Sequence, residues 1–314
     1  MCTAIKFDER FFGRTLDFER SFGEELTVTP REKLRIGEAN NRYAIMGIGV
    51  KIGHTPLYFD GVNEWGLCAA ALNFPHRAVY HKEWEGKTGV SSAHLISLIL
   101  GFCRSVSEAR DTLSKIFITS EGADGNTPPT PLHWLIADSR EAIAVESVSD
   151  GLKVYDDPVG VLTNSPDFPY QLTRLGDFSS LRANNPTENP FGIPLYSRGM
   201  GALGLPGDYS STSRFVRAGF VMKNTLSEDA TLGEISRLFH ILGTVSVPLG
   251  CVVTEEGAPV STLYTACADM QKPAYYLTCA SCQAIRKIDL TDSLITANDI
   301  ITYPIYRGEI IIDL

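Results

Sequence analysis

Between His94 and Ile116, in the stretch HLISLILGFCRSVSEARDTLSKI, apolar residues recur at helical spacing, whereas the chain on either side is strand-like. Where that change of period falls limits the fold more than any other feature. Before it lie CTAIKF, RTLDF, RYAIMGIGVKI, TPLYFDGVN and GLCAAALNF, joined by short turns such as Asp60-Gly61. After it, PLHWLIADSREAIAVESV reads as a hairpin about DSRE, and LKVYDDPVGVLTNSP continues as strand. Helical character returns in PYQLTRLGDFSSL, SRFVRAGFVMKNTL and LGEISRLFHILG. From Gly250 the chain goes back to strands: CVVTEE, STLYTACAD, AYYLTC, AIRKIDL and the terminal EIIIDL. Strands, helix, strands, helices, strands is not a βαβα alternation. It predicts an α+β layered fold with mainly antiparallel sheets.

Within the helical run, a break is expected near Gly101, with Ser105 or Ser107 capping the second half and Glu108 in its first turn. Gly13 is expected to permit a tight turn or a close backbone approach. Residues 183–211 are rich in Pro, Asn and Gly and have no period. A loop of that length in a compact domain is usually functional or an interface. No linker divides the 314 residues, so a single domain is expected.

Several function classes drop out on composition. A net charge of -9 leaves no basic stripe for a nucleic-acid groove. KFDERFFGR places charges where a signal peptide needs an apolar run, and no stretch reaches the roughly 18 apolar residues of a membrane span. The expectation is a cytoplasmic protein, or one released without a classical signal, without stable membrane insertion. The seven cysteines are odd in number and irregularly spaced, unlike a disulfide framework. Cys279 and Cys282 form one CxxC, CASC, without the second pair that a zinc site wants. They are expected to be structural thiols, with a metal or redox role as the alternative. The six histidines form no HxxxH or HExxH, and there is no GxGxxG or GxxxxGK[ST] loop, so neither metal nor cofactor is expected.

Cys2 stands directly behind Met1. Loss of Met1 would put a thiol and an α-amine on one residue, and an amine with a pKa of about 7.7–8.0 suits a general base. Such a site needs a cation, a group to orient the amine, and oxyanion donors. Arg14 and Asp17, in GRTLDFE, return beside Cys2 if RTLDF pairs antiparallel with CTAIKF; a surface ion pair is the plainer alternative. Asn73 in LNFP and Asn164 in LTNSP end strands, where Asn serves turns as readily as oxyanions. Arg214 opens a helix, an end whose dipole favours anions, so a binding role is plausible beside that of a surface Arg. Aromatic residues in 18–28, 58–82 and 133–134 are candidates for a pocket lining or for core.

In order along the chain, MCT, GRTLDFE, VTPR, DGVNEWGL, LNFP, VLTNSP and YSRGMGALGLPGDYSSTSRFVRA resemble the choloylglycine hydrolase family, which contains bile salt hydrolases and penicillin V acylases. The match runs from residue 2 to about 225 and continues more loosely through YTACADM; LPGDYSSTSRF is its most specific part. The resemblance implies the N-terminal nucleophile hydrolase fold, an αββα four-layer sandwich, here one domain over residues 2–314. It implies Cys2 as nucleophile, with Arg14 and Asp17 tuning the thiol and holding the α-amine. The Asn164 side chain and the Asn73 backbone N–H would supply the oxyanion donors, and Arg214 would complete the polar site. Thr15 departs from the pattern, standing where members often have Asn. The implied activity is amide hydrolysis through a thioester, without cofactor or metal, in a homotetramer assembled through the 183–211 segment. Asn73 and LPGDYSSTSRF look like the bile-salt branch, which makes a conjugated bile salt the expected small-molecule partner. Penicillin V or another N-acyl amide is the alternative within the family. A non-catalytic protein, or a thiol or zinc protein using CASC, is the alternative from a different class.

Overall fold

The structure, a computed structural model, describes residues 1–124, 128–226, 233–305 and 308–313. Two antiparallel sheets stack face to face in it. The first runs Val161–Leu162, β1 (Cys2–Phe7), β2 (Phe11–Phe18), Pro259–Asp269, Ala274–Cys279 and Cys282–Asp289, with Val252–Val253 added beside Pro259–Asp269. The second runs Gly151–Asp156, Ala142–Val148, Leu132–Ala137, Cys68–Asn73, Thr55–Asn63, Ile45–Ile52, Glu25–Thr29 and Ile301–Pro304.

The strands stack this way because they are apolar on both faces. In Cys68–Asn73, the side chains of Cys68, Ala70 and Leu72 enter the core between the sheets, while Ala69 and Ala71 join the core under the helices. Leu135 and Ala137 split from Trp134 and Ile136 in the same manner. The outer face of the second sheet is covered by α1 (Leu95–Phe102) and α2 (Val106–Leu113). The outer face of the first is covered by α4 (Ser211–Asn224) and α5 (Glu234–Gly243), with α3 (Phe168–Gly176) packed on α4. Fully buried Phe215, Leu238 and Leu242 anchor that layer, each worth about 1.5–3 kcal/mol of apolar burial. The result is the αββα sandwich that the family resemblance implies, and it agrees with the order of elements.

Gly13 is a close approach rather than a turn. It lies inside β2, where a Cβ would sit 2.9 Å from Leu242 Cδ1 and 3.0 Å from the Ala266 carbonyl oxygen. Its missing side chain lets α5 seat on the sheet.

Three sequence expectations are corrected. The helical run breaks at 103–105, not at Gly101, whose carbonyl instead accepts the N–H groups of Arg42 and Tyr43 at 2.8 and 3.1 Å. Ser105 caps α2, its hydroxyl accepting the Glu108 N–H. Asp60-Gly61 is not a turn but the interior of Thr55–Asn63; the chain reverses at residues 53–54 instead. The apolar run at 309–313 forms no strand, because Ile301–Pro304 already occupies the free edge of Glu25–Thr29. Among the described residues of 183–210, the only helix or strand is the short 3-10 turn Met200–Ala202. No described helix is long and apolar enough to cross a membrane.

Candidate active site

β1 and β2 pair with Cys2 opposite Leu16 and Ala4 opposite Arg14. Side chains alternate along a strand, so Cys2, Arg14 and Leu16 look toward the second sheet while Thr15 and Asp17 look toward the helices. The hairpin thus returns both Arg14 and Asp17 to Cys2, as the spacing of GRTLDFE predicts, but on opposite faces. On the helix side, the Asp17 carboxylate accepts the hydroxyls of Thr262 at 2.6 Å and Thr15 at 3.3 Å. Its backbone carbonyl accepts the Met1 ammonium at 2.7 Å, and its N–H donates to the Met1 carbonyl.

One asparagine joins three of the candidates. Asn164 Oδ1 accepts the Cys2 N–H at 2.8 Å and Arg214 Nη2 at 2.7 Å, while Asn164 Nδ2 donates to the Asn73 carbonyl at 2.7 Å. Arg214 also donates from Nη1 to the Cys2 carbonyl and to Thr3 Oγ1. Burial works against its charge, and Asp17 and Cys2 only partly restore it, so Arg214 sits below the ordinary arginine value. The Asn164 backbone is itself clasped: its N–H donates to Ser211 Oγ at 2.9 Å and its carbonyl accepts Gln171 Nε2 at 3.2 Å.

Asn73 ends a strand that pairs with Leu132–Ala137, opposite Leu132. The next residue, Phe74, donates its N–H to Pro131. Opposed residues in an antiparallel ladder alternate between bonded and unbonded pairs, so the Asn73 N–H points away from that neighbour. On its other side, pairing with Thr55–Asn63 stops at Ala70. The N–H therefore lies beyond the ladder, on the cavity side.

Arg14 crosses between the sheets. Its Nη1 donates to the Phe59 carbonyl at 3.2 Å and to Asp60 Oδ2 at 3.4 Å. Asp60 also accepts the hydroxyls of Tyr264, at 2.5 Å, and Tyr275. Burial opposes the Arg14 charge, yet Tyr264, Cys2 and Asp60 around it hold it above the ordinary arginine value. Burial also keeps both tyrosines well above theirs, so they remain donors. Sequence reasoning missed Asp60 by assigning it to a turn. The available signal was a carboxylate alone in an otherwise apolar strand, TPLYFDGVN. It also missed Ser211 and Gln171, which carry no chemistry of their own.

Cys2 and Asn73 lie on the wall of a cavity of about 310 Å³, lined by Leu16, Phe18, Phe22, Leu57, Phe59 and Leu132 among others. No charged side chain is among its described lining. The aromatic residues near 18–28 and 58–59 are thus lining, whereas Trp134 is core under α1. Burial pushes Cys68 and Cys267 well above the ordinary thiol range and Cys103 up to about 11, which leaves them poor nucleophiles. Cys279 and Cys282 face each other across a two-residue turn, both buried. Among the described residues no three His, Cys, Asp or Glu side chains cluster to hold a metal ion.

Two antiparallel sheets between helical layers, with a cysteine opening an inner strand onto a cavity, define the architecture of the N-terminal nucleophile hydrolases. The chain belongs to the linear amide C–N hydrolases of the choloylglycine hydrolase family, whose model matches residues 2–303. It is 41% identical over 315 residues, 97% of each chain, to a bile salt hydrolase/transferase of Lactiplantibacillus plantarum. Its structure is similar to that of the C2A mutant of conjugated bile acid hydrolase from Clostridium perfringens, with a TM-score of 0.94, 32% identity and 100% of both chains covered. Penicillin V acylase from Agrobacterium tumefaciens shares the fold at a TM-score of 0.77 and 23% identity, over 98% of this chain and 95% of that one.

Proposed function

We propose that this protein hydrolyses the amide bond of glycine- or taurine-conjugated bile salts, with Cys2 as an N-terminal nucleophile. The observation that supports this most is Cys2 on an apolar cavity wall beside Asn73, its own nitrogen 2.8 Å from Asn164. Removal of Met1 turns that nitrogen into an α-amine, which takes the thiol proton. The thiolate attacks the amide carbonyl. The developing oxyanion is met by the Asn73 N–H and by the Asn164 Nδ2 proton not given to Asn73. The α-ammonium then protonates the departing glycine or taurine nitrogen, leaving an acyl thioester on Cys2. Water, deprotonated by the same amine, attacks the thioester carbonyl and releases the free acid and the thiol.

Arg14 places a buried cation on the face of β2 that Cys2 shares, Arg214 holds the N-terminal strand through the Cys2 carbonyl and Thr3, and Asp17, whose backbone here meets Met1, takes up the α-amine once Met1 is gone. The cavity, whose described lining carries no charge, suits the steroid nucleus, an apolar acyl group. In this reading the chain acts as one domain over residues 2–314, in the cytoplasm, without metal or cofactor. It assembles as a homotetramer in which the exposed Phe191, Ile193 and Tyr196 of the 183–210 segment become buried.

The test is amine release from glycocholate and taurocholate beside penicillin V, under reducing conditions on one preparation. Conjugated bile salts are expected to exceed penicillin V at least tenfold in kcat/KM, about 1.4 kcal/mol of transition-state binding. Penicillin V winning by that margin would keep the nucleophile and overturn the substrate.

A further inference from the structure

We infer that His133, paired with Glu146, is a positioning residue that sets the spacing of the two oxyanion donors, Asn73 and Asn164. The inference rests on the reading above and adds to it two residues that do not touch substrate. His133 and Glu146 oppose each other on neighbouring strands of the second sheet, and neither has exposed surface. His133 Nε2 lies 2.8 Å from the Thr163 carbonyl, and Nδ1 lies 3.1 Å from Glu146 Oε1. A carbonyl only accepts, so Nε2 carries its proton. The ring face stacks on Phe74, with centroids 4.3 Å apart and planes 11° from parallel.

These contacts reach both donor segments at once. Phe74 follows Asn73, and Thr163 precedes Asn164. Thr163 continues from Val161–Leu162, which belongs to the first sheet, so the imidazole spans the gap between the sheets. Glu146 Oε1 also accepts the N–H of Phe168 at the start of α3. From that helix Gln171 clasps the Asn164 carbonyl.

The pair is poorly arranged for stability alone. Glu146 Oε2 is buried with no hydrogen-bond partner, and a buried polar pair is often no more stable than apolar side chains of the same volume. What the polar pair supplies is direction. Oxyanion donors must lie about 2.7–3.1 Å from the oxygen they stabilise, and catalytic groups tolerate only about 0.5 Å of displacement. Loss of the imidazole unties Thr163 from the strand behind Asn73 and leaves the direct Asn164–Asn73 hydrogen bond without that support.

Two reactions of Cys2 separate positioning from a general structural role. Amide hydrolysis forms an oxyanion. Alkylation by iodoacetamide breaks a carbon–iodine bond in a direct displacement and forms none. His133→Gln and Glu146→Gln are assayed as folded full chains for glycocholate hydrolysis and for the rate of Cys2 alkylation. The expected result is kcat reduced tenfold or more, with KM and the alkylation rate each within threefold of the parent. Folded variants with unchanged kcat would overturn the inference. So would a parallel fall in both reactions, which would locate the defect at Cys2 itself. If His133→Gln does not fold, Phe74→Leu, which removes only the stacked ring, decides by the same comparison. A parent protein that alkylates at Cys2 but hydrolyses no conjugate would instead count against the proposed function.

Discussion

Asn164 divides its side chain between two tasks. Its oxygen fixes the nitrogen of Cys2 and the guanidinium of Arg214, and its nitrogen reaches the Asn73 carbonyl with one proton left over. Asn164→Ala is therefore expected to cost about 10²–10³ in kcat, the usual loss for one oxyanion donor. Steady-state kinetics on glycocholate checks this, and a loss under tenfold would remove Asn164 from the mechanism. The Arg14–Asp60 pair makes a different demand. Both side chains are almost wholly buried, and Asp60 collects the guanidinium and two tyrosine hydroxyls. Asp60→Ala leaves an uncompensated buried cation and is expected to destabilise the fold by about 3–5 kcal/mol in chemical denaturation. That Cys2, Arg14, Asp17, Asn73, Asn164 and Arg214 come near one another was legible, because each sits in a short motif that resembles the family's in order along the chain. His133 and Glu146 were not, because their partners, Thr163 for His133 and Phe168 for Glu146, are 30 and 22 residues away and only the fold brings them together.

At the scale of elements, the β1–β2 hairpin was readable because its two strands are adjacent in sequence and joined by a short turn. Asp60-Gly61 and the 309–313 run misled for the converse reason: whether such a stretch turns or pairs depends on which distant strand lies beside it. Gly13 marks where a helix meets a strand. Gly13→Val is expected to push α5 off β2 and cost about 1–3 kcal/mol of overpacking strain, seen as a lower denaturation midpoint. The turn at residues 157–160 feeds Val161–Leu162 and hence Asn164. Burial pushes the Asp157 carboxyl up to about 7, against the pull of the Gly160 and Val159 N–H groups and of Lys6. The unfolded chain releases that proton near pH 3.9. Between about pH 4 and 7 the folded state binds the extra proton, so this group's contribution is full below pH 4 and declines as pH rises through 7. The slope is at most about 1.4 kcal/mol per pH unit. Asp157→Asn keeps an acceptor for the turn and removes the titration. It is expected to flatten the stability profile across that window, and parallel profiles would contradict the assignment.

For the molecule as a whole, element order gave an α+β layered fold and the family resemblance gave the order of its layers; strands apolar on both faces must be covered on both. Quaternary structure did not follow, because the 183–210 segment has no period to read. Its exposed Phe191 and Tyr196 are expected to be buried in a tetramer, and sedimentation velocity should return one species of four chains; a stable monomer would refute that assembly. The catalytic claim is tested most directly by intact mass spectrometry of the enzyme quenched in acid during glycocholate turnover. The expected spectrum is a chain lacking Met1 and carrying one cholyl group, an adduct absent from Cys2→Ala, which should not turn over. An active enzyme that retains Met1, or a Cys2→Ala variant that still releases glycine, would contradict the N-terminal thiol as nucleophile.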